Sequence, residues 1–179
     1  MPKLSPRKIS PILLCLLLVI HPVKAHIDRG QNEEYVLKAT FIYRFTDYME
    51  WNEYRGDLFS IAVLGQSSLT APLLEIARAK KIKNRKITVT EYSDLETIDF
   101  CNILFVPSDC LVPIETIVNR FSNKQVLVVT EKAGSCKKGA HLNFFLEENR
   151  LKFEINVKSM NRSNIPVSSF LLQHAIIVE

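Results

Sequence analysis

The chain has 179 residues, 23 Lys and Arg against 19 Asp and Glu, 47% apolar residues, four Cys and five Gly. That length suits one domain or at most two small ones, and the apolar and charged fractions exclude disorder, a collagen-like chain and a small disulfide scaffold. A formal charge of +4 would fit a nucleic-acid or membrane-surface ligand only if the excess bases lay on the folded part.

They do not. Residues 1–25 open with Met-Pro-Lys-Leu-Ser-Pro-Arg-Lys, continue through an apolar run over residues 12–20 and end Val23-Lys24-Ala25. A basic start, a short apolar run and a small-residue end read as a secretory signal peptide, cleaved after Ala25. The run is well short of the roughly 20 residues that a bilayer span needs, and Cys15 has no small-residue lipobox around it. The segment holds Lys3, Arg7, Lys8 and Lys24 and no acid, so the remaining chain, residues 26–179, has 19 bases and 19 acids. Nucleic acid drops out as a partner, and so does a conventional enzyme that relies on nucleotide cofactors, which are scarce beyond the inner membrane. The densest basic cluster left, Lys80-Lys81-Ile82-Lys83-Asn84-Arg85-Lys86, is short and has no interleaved aromatics. It reads as a solvated connection between a helix and a strand.

In chain order, residues 26–32 form a polar lead-in to a helix over 33–49. Its apolar positions Tyr35, Leu37, Ala39, Phe41, Ile42, Phe45, Tyr48 and Met49 recur at steps of three and four, leaving Glu34, Lys38, Arg44 and Asp47 largely on the other side. A turn over 52–57 leads to an apolar strand over 58–64 ending at Gly65, and Ser67 or Ser68 caps a helix running to about residue 81. Residues 86–92 alternate as a half-exposed strand, whereas 100–106 form a continuous apolar run expected to be buried on both faces. Pro113 opens a helix to about Phe121, and 125–130 is another buried strand. Residues 140–146 and 151–157 alternate around the four-residue connection Glu147-Glu148-Asn149-Arg150, as an antiparallel hairpin does. A final helix is expected over 166–178. The pattern predicts one α/β domain: a largely parallel Rossmann-like sheet, a C-terminal antiparallel hairpin and flanking helices.

The motifs that carry chemistry are sparse. Gly65-Gln66-Ser67-Ser68 lies where open α/β sheets bind ligands, but one glycine is no phosphate cradle, and a tight turn with a serine cap is the simpler reading. His26, His141 and His174 share no metal-ligand spacing, and no Gly-x-Ser-x-Gly exists. His174 reads as a half-buried packing residue, and Glu147-Glu148 as a solvated turn. No catalytic residue, metal site or cofactor is expected. Beyond the signal segment the cysteines are Cys101, Cys110 and Cys136, an odd number for an oxidising compartment. Cys101 begins a buried strand and reads as a core thiol. Cys110 and Cys136 each follow the carboxyl end of a strand. A disulfide between them would close a 27-residue loop and stabilise the fold by about 3–4 kcal/mol on the chain-entropy model.

Six stretches in this order carry a resemblance: Lys38-Ala-Thr-Phe-Ile-Tyr-Arg-Phe-Thr-Asp-Tyr-Met-Glu-Trp51, Ile61-Ala-Val-Leu-Gly65, Cys101-Asn-Ile-Leu-Phe-Val106, Val126-Leu-Val-Val-Thr130, Phe153-Glu-Ile-Asn156 and Ser168-Ser-Phe-Leu-Leu172. Each is mostly core. As an ordered series the chain resembles the YfiR/HmsC family of bacterial periplasmic regulators. The resemblance implies an exported protein without catalysis. It would bind the periplasmic sensor part of an inner-membrane signalling protein, typically a diguanylate cyclase, and lower cyclic di-GMP output and biofilm formation. A sensor kinase is the other partner of that kind, and a homodimer is compatible with it. Family disulfides are linked to stability and redox sensing, and three cysteines cannot complete two bridges. The matching stretches do not carry over a partner surface. Tyr43, Tyr48 and Trp51, at the end of the first helix, are the candidates, because aromatics are enriched at binding hot spots, with a plain core role as their alternative. The competing functions are a small-ligand binder using the crevice beyond Gly65 and Pro107, and an unrecognised hydrolase.

Overall fold

Side-chain alternation along the central strands divides the interior into two layers. In β1 (Leu58–Leu64), Phe59, Ile61 and Val63 enter one core, while Ala62 and Leu64 enter the other. In β4 (Ile103–Val106) the same division sends Ile103 and Phe105 one way and Leu104 and Val106 the other. In β5 (Leu127–Thr130) it separates Leu127 and Val129 from Val128. Strands covered on both faces read as nearly continuous apolar runs, and Ser60 and Thr130 are the polar residues in these three. The computed structural model describes residues 24–51 and 57–179. The expected signal segment, apart from Lys24 and Ala25, and all of the expected 52–57 turn except Asp57 lie outside the described residues.

The remaining strands are β2 (Lys81–Ile82), β3 (Arg85–Tyr92), β6 (Leu142–Glu147), β7 (Arg150–Asn156) and β8 (Ile176–Val178). They join one eight-stranded sheet in the order β2-β3-β1-β4-β5-β6-β7-β8. Pairing is parallel from β3 through β6, with Leu58 opposite Lys86, Ile61 opposite Ile103, Ile103 opposite Leu127 and Val129 opposite Leu142. It is antiparallel between β2 and β3 and between β6 and β7, and parallel again between β7 and β8. The architecture is the expected mixed α/β domain with a mostly parallel sheet and a C-terminal hairpin.

Helices α1 (Lys24–Phe45) and α2 (Thr70–Ala79) supply Ala39, Ile42, Phe45 and Leu73 to the first core, and α3 (Ile114–Arg120) supplies Ile114 and Ile117 to the second. Under α1, Phe45 lies 4.7 Å from Phe153 and 6.1 Å from Phe144 between ring centroids, so the helix is seated on the β6–β7 hairpin by aromatic packing.

Several expectations are corrected. The helix α1 extends back through the segment expected as a polar lead-in, where 30–33 are exposed and no proline interrupts it. Leu37 on α1 is exposed, and Lys38, expected on the solvent side, is buried. The helix α2 stops at Ala79, and the basic cluster forms a tight hairpin whose Lys83 and Asn84 have φ of 49° and 64°, as a two-residue primed turn requires. Within it Arg85 is buried, donating to the Leu58 carbonyl and lying over the Phe59 ring. The β6–β7 connection is also two residues, Glu148 and Asn149, at φ of 51° and 59°.

The expected last helix divides. Only α5 (Ser169–Leu172) is helical, capped by Ser168 Oγ accepting from Leu171 N, and Ile176, Ile177 and Val178 instead form β8. Three β-branched residues beside the free edge of β7 gain more from strand pairing than from a helical turn. An unanticipated helix, α4 (Val157–Arg162), starts where Asn156 Oδ1 accepts from Ser159 N.

Candidate functional site

Strand β1 has β3 on one side and β4 on the other, so chain order reverses there and a crevice is expected beyond the carboxyl ends. The Gly65 turn at that end has φ of 94°, a conformation that suits glycine. Its neighbours spend their polar groups locally. Ser67 Oγ accepts from Leu69 N, and Glu91 Oε1 accepts from Thr70 Oγ1 at 2.5 Å, tying the start of α2 to β3. The motif is a turn, but the expected serine cap of the helix is not formed: the N-cap of α2 is Leu69, which makes no side-chain cap bond, and Ser67 closes the turn ahead of it.

Beyond β4 and β5 a charged network occupies the crevice. Glu131 follows β5 with its side chain 6% exposed, and its Oε2 receives Lys38 Nζ at 2.5 Å. The same ammonium pairs with Glu34 Oε1 at 2.5 Å, while Glu131 Oε1 accepts from Tyr35 OH at 3.2 Å and from Ser108 N at 3.4 Å. Partial burial and the Glu131 charge push the Tyr35 hydroxyl up to about 12, so it stays a donor. Lys38 and Tyr35 therefore latch α1 across the ends of the central strands. The cavity left beyond Pro107, bordered by Cys110 and Lys132, is about 90 Å³. Small-molecule sites run to about 300–1,000 Å³, so this crevice offers little room for a ligand.

The structure brings together a Ser–His pair that sequence reasoning missed, because its members lie 22 residues apart in no motif. His141 Nε2 is 2.8 Å from Ser163 Oγ, and His141 Nδ1 accepts from Val128 N at 2.8 Å. An amide can only donate, so Nδ1 is bare, Nε2 carries the proton, and the imidazole donates to Ser163. Burial pushes His141 down to about 4, which keeps it neutral. A histidine in this tautomer cannot take the serine proton, so the pair is a structural bond rather than an activated nucleophile.

The candidate aromatics separate. Trp51 is 4% exposed and packs edge-on against Phe59 at 5.2 Å. Tyr43 is half-buried against the first core. Tyr48 is half-buried on a 3-10 turn and stacks on Phe170 at 5.0 Å. That contact is set by a backbone zipper in which Ser168 N donates to Tyr48 O at 2.9 Å and Glu50 N to Pro166 O at 3.1 Å. Phe170 is 53% exposed and also meets the His174 ring at 4.9 Å. His174 is exposed rather than half-buried because α5 ends before it. Ile176 and Ile177 on β8 are also exposed, and as successive strand residues they face opposite sides of the sheet.

The three described cysteines are thiols, and the expected Cys110–Cys136 bridge is not formed in the structure. Cys136 is fully buried with Sγ 3.8 Å from the Glu154 carbonyl of β7, whereas Cys110 is half-buried in the loop after β4. Burial raises both Cys101 and Cys136 to about 12, far from the reactive thiolate.

Among the described residues no helix is long and apolar enough to cross a membrane. No curated protein matches the sequence. A sequence model of the family described as YfiR/HmsC-like matches residues 35–176. That match begins at the Tyr35 that anchors α1 and ends at the first residue of β8. With nearly the whole sheet inside it, the chain belongs to the YfiR/HmsC-like family.

Proposed function

We propose that this chain is an exported periplasmic regulator, released by cleavage after Ala25, that binds the periplasmic sensor part of an inner-membrane diguanylate cyclase and holds it inactive. Cyclic di-GMP output and biofilm formation then fall. The observation that carries this reading is membership of the YfiR/HmsC-like family over residues 35–176, a regulatory family not known for enzymes. A regulator of this kind acts by binding the inactive sensor conformation more tightly than the active one. The stack of half-buried Tyr48 on exposed Phe170 supports a contact role, since aromatic anchors dominate interface energetics. Tyr48 takes that role in preference to Trp51, whose ring is spent against Phe59.

Deleting the gene should raise cyclic di-GMP, and reintroducing the wild-type chain should restore it. Phe170→Ala should leave the far-UV circular dichroism unchanged but fail to restore repression and fail to co-purify the cyclase. Unchanged cyclic di-GMP on deletion, with no inner-membrane protein co-purifying, overturns the reading. A sensor kinase recovered in place of the cyclase would move the partner and keep the mode of action.

A further inference from the structure

Between α3, the 3-10 turn Cys136–Lys138 and α4 lies an open cavity of about 450 Å³, within the range of small-molecule sites. Its polar lining is dominated by donors. Arg162 and Lys138 bring cations, Asn119 an amide, and Ser159 and Ser163, both buried, bring hydroxyls. Glu115 is the one acid among the lining residues. The hydroxyl directions follow from their neighbours. Ser163 Oγ accepts the proton that His141 Nε2 must carry, and Ser159 Oγ accepts from Arg162 Nη2 at 2.8 Å. Each serine is thus engaged as an acceptor from the protein side and keeps its own hydrogen to give. An adjoining depression adds Lys137 and Lys158 against Glu179, so the joined surface carries four bases to two acids.

We propose that this cavity is a binding site for a small oxyanion, a phosphate or carboxylate group held by Arg162, Lys138 and the Ser159 and Ser163 hydroxyls. A guanidinium offers two parallel N–H bonds to such a group, and the ammonium adds charge without geometry. The Glu115 carboxylate opposes the anion and is outnumbered by the two cations. None of the cavity's lining residues borders the depression beside Tyr48, so occupancy is separate from the partner contact proposed above.

The test is calorimetric titration of the exported protein with sodium phosphate and, separately, sodium succinate, with ionic strength held constant by sodium chloride. Saturable binding of at least one probe is expected. Lys138→Ala and Arg162→Ala should each weaken it at least tenfold, while Lys80→Ala combined with Lys81→Ala, in the β2–β3 hairpin region, should leave it unchanged. Phosphate alone, succinate alone or both binding assigns the group and supports the site. No saturable binding of either probe overturns it, as does equal weakening by the hairpin substitutions. Lys138 is exposed, so Lys138→Ala carries the test even if Arg162→Ala disturbs the fold.

Discussion

Lys38 is buried because two carboxylates reach it, and its energetics follow from that geometry. Neither charge of the Lys38–Glu131 pair is more than 6% exposed, and stripping one partner from a buried pair costs about 3–5 kcal/mol because the other is left unpaired. Lys38→Met should destabilise the protein by that amount in urea denaturation. Arg78→Ala, which breaks a pair with Glu75 that is 71% exposed on both sides, should stay within about 0.5 kcal/mol. His141 makes a second prediction at this scale. Its folded value, about 4, lies below the ordinary 6.5, so the unfolded chain takes up a proton that the folded chain refuses. Its contribution is intact above pH 6.5, declines as pH falls and is gone below about 4, a loss of about 3 kcal/mol. Urea midpoints at pH 7.5 and 4.5 should show that slope, and His141→Gln should flatten it.

At the scale of elements, turns decide what periodicity leaves open. The β6–β7 hairpin depends on Glu148 and Asn149 both holding positive φ, which asparagine tolerates and β-branched residues resist. Asn149→Val should cost about 1–2 kcal/mol, and Asn149→Gly should be neutral or mildly stabilising, as read from chemical denaturation midpoints. The loss would propagate, since the hairpin carries Phe144 and Phe153 under α1 and its outer strand β7 supports β8. The same reasoning explains the divided C-terminal segment. Ser168 starts α5, but the following residues have a sheet edge to join, and a helix of four residues has little cooperative strength to extend itself.

For the whole molecule, the two cores on opposite faces of one sheet make local opening of the interior costly. Cys101 lies in the second core and Cys136 is fully buried, while Cys110 is half-buried in a loop. Among the described cysteines, iodoacetamide should modify Cys110 alone under native conditions, and Cys101 and Cys136 should react only as denaturant unfolds the chain, at rates that track global stability. Peptide mapping without reductant is the complementary measurement, because a Cys110–Cys136 bridge would protect both residues together. The latch at Glu131 and the Tyr48–Phe170 stack are set apart along the chain, with Tyr35 and Lys38 in the middle of α1 and Tyr48 in the 3-10 turn that follows it.

The sequence by itself determined the element types through most of the chain, the largely parallel character of the sheet and the family. Those rest on local signals: continuous apolar runs, the 3.6-residue period of α1, the breakers around Gly65 and Pro113, and an ordered series of core stretches. Tertiary structure alone decided that Lys38 is buried, that Ile176–Val178 is a strand, that His141 faces Ser163 and that Arg162, Lys138, Ser159 and Ser163 share one cavity. Each depends on a partner far away in the chain. A lysine is read as exposed until a carboxylate 93 residues distant neutralises it, and a short β-branched run is undecided until a sheet edge offers it hydrogen bonds.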